Sequence, residues 1–502
     1  MLFFVIVTKE KIQRTHNSFI NHELEQYICE LQIMLKKLHL YRLRAFPAVF
    51  LFIFTISAFA YVNKFFKDVN LWQILFLINT PIRGADTRLI RWFLERCIYL
   101  PTLYTLIVCY LPELNFLKLK SPFKKISYAM FVSLLSLFLT VGYFFYKTDI
   151  RTAKLFFLNE TTTFYDENFA DPRKAEISFN QKKNLIILHV ESLEATFKNK
   201  AFFGQNLLSD LESMEAENVQ FSNFQNGFAT DFTQGSVIAL FTGMPAKYSW
   251  FVNKIGNEQH FFHGYYSLGK ILKDNGYHLA SIQGTDGNFS GLEDFLRDND
   301  FLDITDLDTI KKDYPQHEQN GTWGYSDDDI FQIAKDKIKQ LENKQPYFLY
   351  IQTIDTHFGY EPKIRQYPNF DNVYYNVIHN TELSIADFLE WLKQNTVWEN
   401  NVIVIVGDHL RMGNDFPMPS KRSIYNLFIN SEKPQDLNRT FSQIDLFPSV
   451  VEAMGGTIKN HRLGLGTSVF SKQKTLAEKY SDEFLRETLA KRSELYEKMF
   501  MN

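Results

Sequence analysis

Cysteine is nearly absent. The 502 residues contain three, Cys29, Cys97 and Cys109, all before residue 110. The long remainder therefore has no disulfide framework and no thiol nucleophile. A surplus of charge is missing too: 54 basic and 57 acidic residues leave a net charge of −3. That balance excludes the basic face on which nucleic-acid binders rely. No internal repeat and no low-complexity tract is found. A cleavable export signal is not expected, because residues 1–7 are apolar but Thr8, Lys9, Glu10 and Lys11 follow in place of a small-residue cleavage site.

Aromatic side chains, by contrast, are plentiful, with 49 Phe and 25 Tyr, and they point to a membrane portion. Residues 8–44 have a mixed, helical pattern that ends basic at Lys36, Lys37, Arg42 and Arg44. Three apolar runs of spanning length follow, at residues 45–62, 93–111 and 128–146. A shorter run, 71–82, reads as re-entrant or interfacial. Three crossings place the basic clusters Lys36 to Arg44 and Lys118 to Lys125 in the cytoplasm, and everything after residue 147 outside. Arg83, Arg88, Arg91 and Arg96 then lie outside, against the same rule. Five crossings are the alternative, if residues 1–7 belong to an additional span. The expected location is the bacterial cytoplasmic membrane, multi-pass, with the catalytic domain on the periplasmic or extracytoplasmic side.

Residues 147–183 form a polar connector. From Asn184 apolar strand patterns (185–190, 279–283, 347–352, 402–406, 425–429) alternate with helical ones (207–216, 234–241, 267–274, 327–341, 377–393). This predicts an α/β domain over 184–470 with a mostly parallel sheet between helices. A charged, amphipathic C-terminal helix is expected within 471–502.

The run Val402 to Val406 is β-branched throughout and reads as a strand buried on both faces. It delivers Asp408 and His409 at its carboxyl end, where open α/β sheets place ligands. A carboxylate beside an imidazole suits a divalent cation, although an Asp at a strand end is more often a cap. The strand 185–190 likewise ends at Glu191, which alone reads as a helix cap. His189 lies inside that strand and reads as a core histidine or one standing behind a ligand. Thr233 falls at the start of the helix 234–241. Capping explains a Thr there, but a helix N-terminus also favours a developing alkoxide and a phosphate oxygen. Thr230 is its rival. The strand 347–352 leads to Asp355 and His357, the latter a loop histidine or a group that holds phosphate or moves a proton. Asp327, Asp328 and Asp329 open a helix and suit its dipole. Trp323 just before them reads as an exposed platform for a polyol. Each residue has a bland explanation; their joint placement on one predicted rim does not.

This pattern resembles the alkaline phosphatase and sulfatase superfamily, and within it the membrane-anchored phosphoglycerol transferases, namely lipoteichoic acid synthases and the periplasmic glucan enzyme. The resemblance rests on residues 189–194 (HVESLE), the segment from Thr233 to Pro245, 323–328 (WGYSDD), 353–357 (TIDTH) and 407–412 (GDHLRM), with 283–291 and 462–466 similar to the glucan type. It implies one divalent metal, Mn²⁺ with Zn²⁺ or Mg²⁺ as alternatives, held by Glu191, Thr233, Asp408 and His409. It implies Thr233 as nucleophile, and His357, Trp323 and Asp327 on the phosphate and glycerol. The implied donor is phosphatidylglycerol and the acceptor an extracytoplasmic glycan or glycolipid, with the lipid bilayer as a further partner and no nucleic acid. The membrane part is shorter than in lipoteichoic acid synthases, which leaves the acceptor open. The rival readings are a phosphoethanolamine transferase, a sulfatase-like phosphodiesterase and a non-catalytic membrane sensor. A sulfatase proper needs a Cys or Ser followed by Pro and Arg at the nucleophile, and Thr233-Gln-Gly-Ser lacks it.

Overall fold

The computed structural model of the protein describes residues 18–65, 72–75, 87–110, 122–147, 154–155, 158–247, 264–320, 323–357, 370–412 and 417–501. The chain divides into two compact units: Met1–Tyr61 with Arg91–Phe144, and Val62–Ile90 with Phe145–Asn502.

The first unit is helical. Helix α1 (Ser18–Phe65) runs unbroken through the basic stretch and the first predicted span. Helix α2 comprises Thr87–Phe93, a π-helical turn Leu94–Tyr99, and Leu100–Tyr110. Helix α3 is Pro122–Lys147. Among the described residues, two stretches are long and apolar enough to cross a bilayer, Ile28–Val62 and Ile90–Cys109, with mean hydropathies of 2.1 and 1.2. The third predicted span, 128–146, lies within α3, and its described apolar stretch is Met130–Tyr143. In the second stretch Arg91 Nε donates to Glu95 at 2.8 Å, one turn away, so these charges are paired. Large apolar side chains point outward from these helices; Phe138 is 76% exposed. Water is a poor neighbour for such a surface.

The second unit is built on a six-stranded sheet: β1 (Asn184–Val190), β2 (His278–Gln283), β3 (Asp303–Thr305), β4 (Tyr347–Gln352), β5 (Asn401–Gly407) and β6 (Asn426–Ile429), in spatial order β3-β2-β4-β1-β5-β6. All neighbours are parallel except β5 and β6. The sheet is therefore mixed, with an antiparallel edge that the strand patterns did not disclose. Successive residues of each strand enter opposite cores, as a pleat requires. Leu185, Ile187, Val402 and Val404 pack with helices α4 (Thr233–Thr242) and α7 (Gln443–Ala453). Ile186, Leu188, Ile403 and Ile405 pack with α5 (Asp327–Leu341) and α6 (Val373–Asn395). Both faces are covered, which is why β5 is apolar at every inner position and β1 at all but His189.

Three expectations need correction. The connector is not a bare linker: Ile177–Phe179 pairs with Gly456–Ile458, and Phe164 and Tyr165 are core residues. The C-terminal helix is three pieces, Leu476–Lys479, Asp482–Ala490 and Glu494–Met501. Ser481 accepts from the Phe484 amide and Ser493 from the Tyr496 amide, so each serine caps a new start. Of the run 71–82, residues 72–75 are described, as a helical turn whose Trp72 and Leu75 belong to the core of the second unit; the rest lies outside the described residues.

Candidate metal centre and nucleophile

Strands β1 and β5 are neighbours in parallel register, with Val190 opposite Gly407. Glu191 and Asp408 therefore leave adjacent strands at the same height. Gly407 makes this possible: a Cβ there would lie 2.0 Å from the Leu193 carbonyl oxygen. The Asp408 amide donates to the Val190 carbonyl at 3.0 Å, extending the pairing one step past the sheet.

Glu191, Asp408 and His409 are fully buried and present ligand atoms that all lie within 4.8 Å of one another. Thr233 completes the group. Its hydroxyl donates to Glu191 Oε2 at 3.1 Å and lies 3.5 Å from His409 Nε2. The sequence placed Thr233 at the N-cap; the cap is Phe232, and the Thr233 hydroxyl makes no capping bond. Nor does Glu191 cap a helix: its carboxylate accepts from Ser192 Oγ at 2.6 Å and from Thr233. Asp408 Oδ1 accepts from the Ser192 and His409 amides, both at 2.7 Å, while Oδ2 finds no hydrogen-bond partner among the described residues.

The lone pairs decide what this group can hold. His409 Nδ1 lies 3.0 Å from the Leu410 carbonyl, which can only accept, so Nδ1 carries a proton. In a neutral ring Nε2 is then a bare lone pair. It faces Asp408 Oδ2 at 3.4 Å and Glu191 Oε1 at 3.7 Å. Three electron-rich atoms turned on one another need a cation or protons between them. The titration behaviour agrees. Burial, and then the Glu191 charge, push the Asp408 carboxyl up to about 7. Burial opposes the His409 imidazolium, yet the facing carboxylates of Asp408 and Glu191 raise its pKa. Burial also opposes the Glu191 carboxylate, but His357, His409 and hydrogen bonds from Ser192 and Thr233 hold it below its usual range. The set fits a divalent ion with mixed N and O ligands.

The remaining predicted residues separate into two groups. His357 is half-buried, close enough to Glu191 to bias its charge, and its ring centroid lies 4.2 Å from that of Trp323, edge-on. Trp323 is 6% exposed and also meets Phe289, so it is a buried wall and not an open platform. Asp327 is fully buried; its carboxylate accepts from the amides of Ile354 and Asp355 and from the Thr381 hydroxyl. Its Oδ1 thus fastens the turn that carries His357, while Oδ2 is engaged by Thr381 of α6. Burial raises its pKa to about 6. His189 lies behind Glu191, between the Tyr350 hydroxyl at 2.8 Å and Ser236 at 3.0 Å. Burial drives its pKa to about 3, so it is neutral. Thr230, the rival nucleophile, is buried and donates to Gln443 at 2.6 Å.

Sequence reading missed the residues that hold these groups in place. Thr353 accepts from the Glu191 amide at 3.1 Å, Thr356 donates to the Glu191 carbonyl, and Arg411 donates to the Thr356 carbonyl. No spacing signal marks them, since their partners are backbone atoms of distant segments.

Comparison with known proteins bears on the same region. Phosphoglycerol transferase I of Shigella flexneri is 30% identical over 306 residues, covering 58% of this chain and 39% of that protein. The Escherichia fergusonii protein of the same name is 30% identical over 308 residues, 59% and 40%. The chain thus matches about two-fifths of the length of these relatives. Two solved structures share the fold. A protein in the alkaline phosphatase superfamily from Vibrio parahaemolyticus has a TM-score of 0.51 at 22% identity, over 66% of this chain and 80% of that one. The lipoteichoic acid synthase LtaP of Listeria monocytogenes has a TM-score of 0.51 at 16% identity, over 67% and 97%. The sequence profile named Sulfatase matches residues 183–456, more than half of the 502-residue chain, and the protein belongs to the sulfatase family.

Proposed function

We propose that the protein is a metal-dependent transferase that moves a phosphoglycerol group from phosphatidylglycerol to an extracytoplasmic glycan or glycolipid through a covalent threonine intermediate. The observation that carries this reading is the Thr233 hydroxyl directed at Glu191, 3.1 Å away, among the ligand atoms of Asp408 and His409. The relatives named phosphoglycerol transferase I support the choice of group. Glu191, Asp408, His409 and the Thr233 hydroxyl would hold the ion, Mn²⁺ by resemblance. When bound, it supplies the positive charge that favours the Thr233 alkoxide and neutralises a phosphate oxygen.

The chain's own groups then divide the work. Thr233 Oγ1, its proton taken up by Glu191, attacks the donor phosphorus. A Thr233–phosphorus bond forms as the bond to diacylglycerol breaks, and His357 gives a proton to the departing oxygen. An acceptor hydroxyl, losing its proton to His357, attacks the same phosphorus. Thr233 leaves and recovers its proton from Glu191. The N-terminus of α4, where Thr233 stands, would favour the negative charge of the reacting phosphate. Trp323 closes the wall beside His357 and would take the glycerol end. Two or more apolar helices would anchor the enzyme in the cytoplasmic membrane, with the catalytic unit outside, facing the leaflet that holds its donor.

The test is mass spectrometry of the full chain in detergent with Mn²⁺ and phosphatidylglycerol. A glycerophosphate adduct on Thr233 is expected, absent from Thr233→Ala. An adduct from phosphatidylethanolamine alone would assign the other head group, and no adduct with either lipid would end the transferase reading.

A further inference from the structure

Helix α7 starts with a side chain that the proposed chemistry does not use. Gln443 is completely buried, and its amide is saturated from both sides. Its oxygen accepts from the Thr230 hydroxyl at 2.6 Å and from the Gly227 amide at 3.0 Å. Its nitrogen donates to the Asp408 carbonyl at 2.9 Å, with the Thr230 carbonyl and Asn226 Oδ1 each at 3.3 Å. Asn226 adds a second strut, accepting from the Leu410 amide at 3.1 Å.

Among the described residues, the hydrogen bonds of these two side-chain amides tie two segments together. One is the loop 226–230, which feeds directly into Thr233. The other is the stretch 408–410, which carries the candidate ligands Asp408 and His409. We propose that Gln443 is a positioning residue that fixes the distance between the Thr233 hydroxyl and the Asp408–His409 pair, an inference that rests on the transferase reading above. The chemistry requires an amide. The loop offers an O–H and an N–H that need an acceptor, and the strand end offers a carbonyl that needs a donor. A carboxylate serves the first and repels the second; an alkyl group serves neither and leaves buried polar atoms unmet. Asparagine is one carbon shorter and cannot reach both. The loop needs such a tie because Ala229 lies at φ 54°, a left-handed conformation that relaxes unless held.

The experiment uses the full chain in detergent with Gln443→Glu, Gln443→Leu and Asn226→Ala. Four readouts are taken: Mn²⁺ affinity by calorimetry, hydrogen exchange at the Gly227 amide, thermal melting, and kcat and KM for the soluble diester bis(p-nitrophenyl) phosphate. Gln443→Glu keeps size and shape. It is expected to lower kcat roughly 10- to 100-fold with KM within about threefold, because a displaced nucleophile costs rate and not binding. Its kcat relative to wild type should climb as pH falls, when the introduced carboxyl regains a proton to donate to the Asp408 carbonyl. A structural role alone would not produce that slope. Asn226→Ala should give a smaller kcat loss, and Gln443→Leu, which removes the acceptor of the Gly227 amide, should speed exchange at Gly227. If Gln443→Leu does not fold, Gln443→Glu and Asn226→Ala still decide. Wild-type kcat in both Gln443→Glu and Asn226→Ala would overturn the proposal while leaving the transferase reading intact. A wild-type protein that neither binds Mn²⁺ nor cleaves the diester would overturn both.

Discussion

Ser192 carries more of the site than its size suggests. It lies at φ 50°, in the left-handed region, which costs an L-residue about 1–2 kcal/mol. In that conformation its amide reaches Asp408 and its hydroxyl reaches Glu191, so one strained residue orients two carboxylates. Ser192→Gly removes the strain and the hydroxyl together; Ser192→Ala removes the hydroxyl only. Both are expected to weaken Mn²⁺ binding roughly tenfold, as loss of a hydrogen bond behind a ligand does, while Ser192→Gly melts at or above the temperature of Ser192→Ala. Calorimetry and thermal melts check this, and equal Mn²⁺ affinity in all three proteins would remove Ser192 from the account. The contrast with Glu191, Asp408 and His409 explains what sequence could reveal. Those three stand at the ends of unmistakable strands, so their convergence was legible. Gln443 and Asn226 act through backbone amides and carbonyls of segments far away in the chain, and Ser192 acts through a left-handed backbone that turns its own amide to Asp408; nothing in their spacing records that.

Strand β5 was legible because Val402 to Val406 admits few other conformations, and β1 for the same reason. Strand β3 was not. It is three residues at the sheet edge, and Asp303 there is held by Lys337 at 2.7 Å, so it lacks an apolar pattern. The reversal of β6 was hidden as well, since direction leaves no trace in a four-residue apolar run. The junction of β5 with its ligands gives a sharp prediction. In Gly407→Ala the new methyl meets the Leu193 carbonyl and Ile424, both on backbone-paired segments. The loss should reach about 3 kcal/mol or more in urea denaturation, whereas alanine at Gly204, where no atom lies within 4 Å, faces only the cost of φ 79°. The C-terminal pieces make another test. Lys247 is buried with its ammonium over the rings of Tyr165 and Tyr496, at 4.9 and 4.8 Å, and donates to the Lys491 carbonyl. Burial lowers its pKa to about 7. Between that value and its unfolded value near 10.5 the unfolded chain holds the extra proton, so stability contributed at this site rises with pH across the window, by at most about 1.4 kcal/mol per pH unit. The ring contacts favour the charged form and reduce the slope. Lys247→Met should flatten it, read as the difference in melting temperature between the two proteins from pH 7 to 9.5.

At the scale of the whole molecule, the unit that holds the candidate site is not one continuous stretch of chain. Sequence patterns start it at Asn184, but residues 62–90 group with it. Trp72 is 4% exposed and meets the Phe228 ring edge-on at 5.4 Å, and Gln73 Nε2 lies 3.5 Å from the Met412 sulfur. Phe228 sits on the loop that leads to Thr233, and Met412 follows the candidate ligand His409. A segment drawn from between two apolar helices therefore packs against both loops of the candidate site. A fragment of residues 154–502 lacks that segment. Burying a Trp and a Leu is worth about 3–5 kcal/mol together, so the fragment should melt well below the corresponding transition of the whole chain. The deficit should be local as well as global, because Phe228 loses its cover while the sheet keeps its own. Amides of 226–230 are expected to exchange faster in the fragment, with those of β1 and β4 less affected. Trp72→Ala in the full chain should reproduce the change at 226–230, which separates the missing side chain from truncation itself. Identical protection of 226–230 in the fragment, the variant and the whole protein would show that the loop stands without Trp72. The functional counterpart is a lower kcat on the soluble diester in both altered proteins, since the Thr233 loop would be held from the Gln443 side alone.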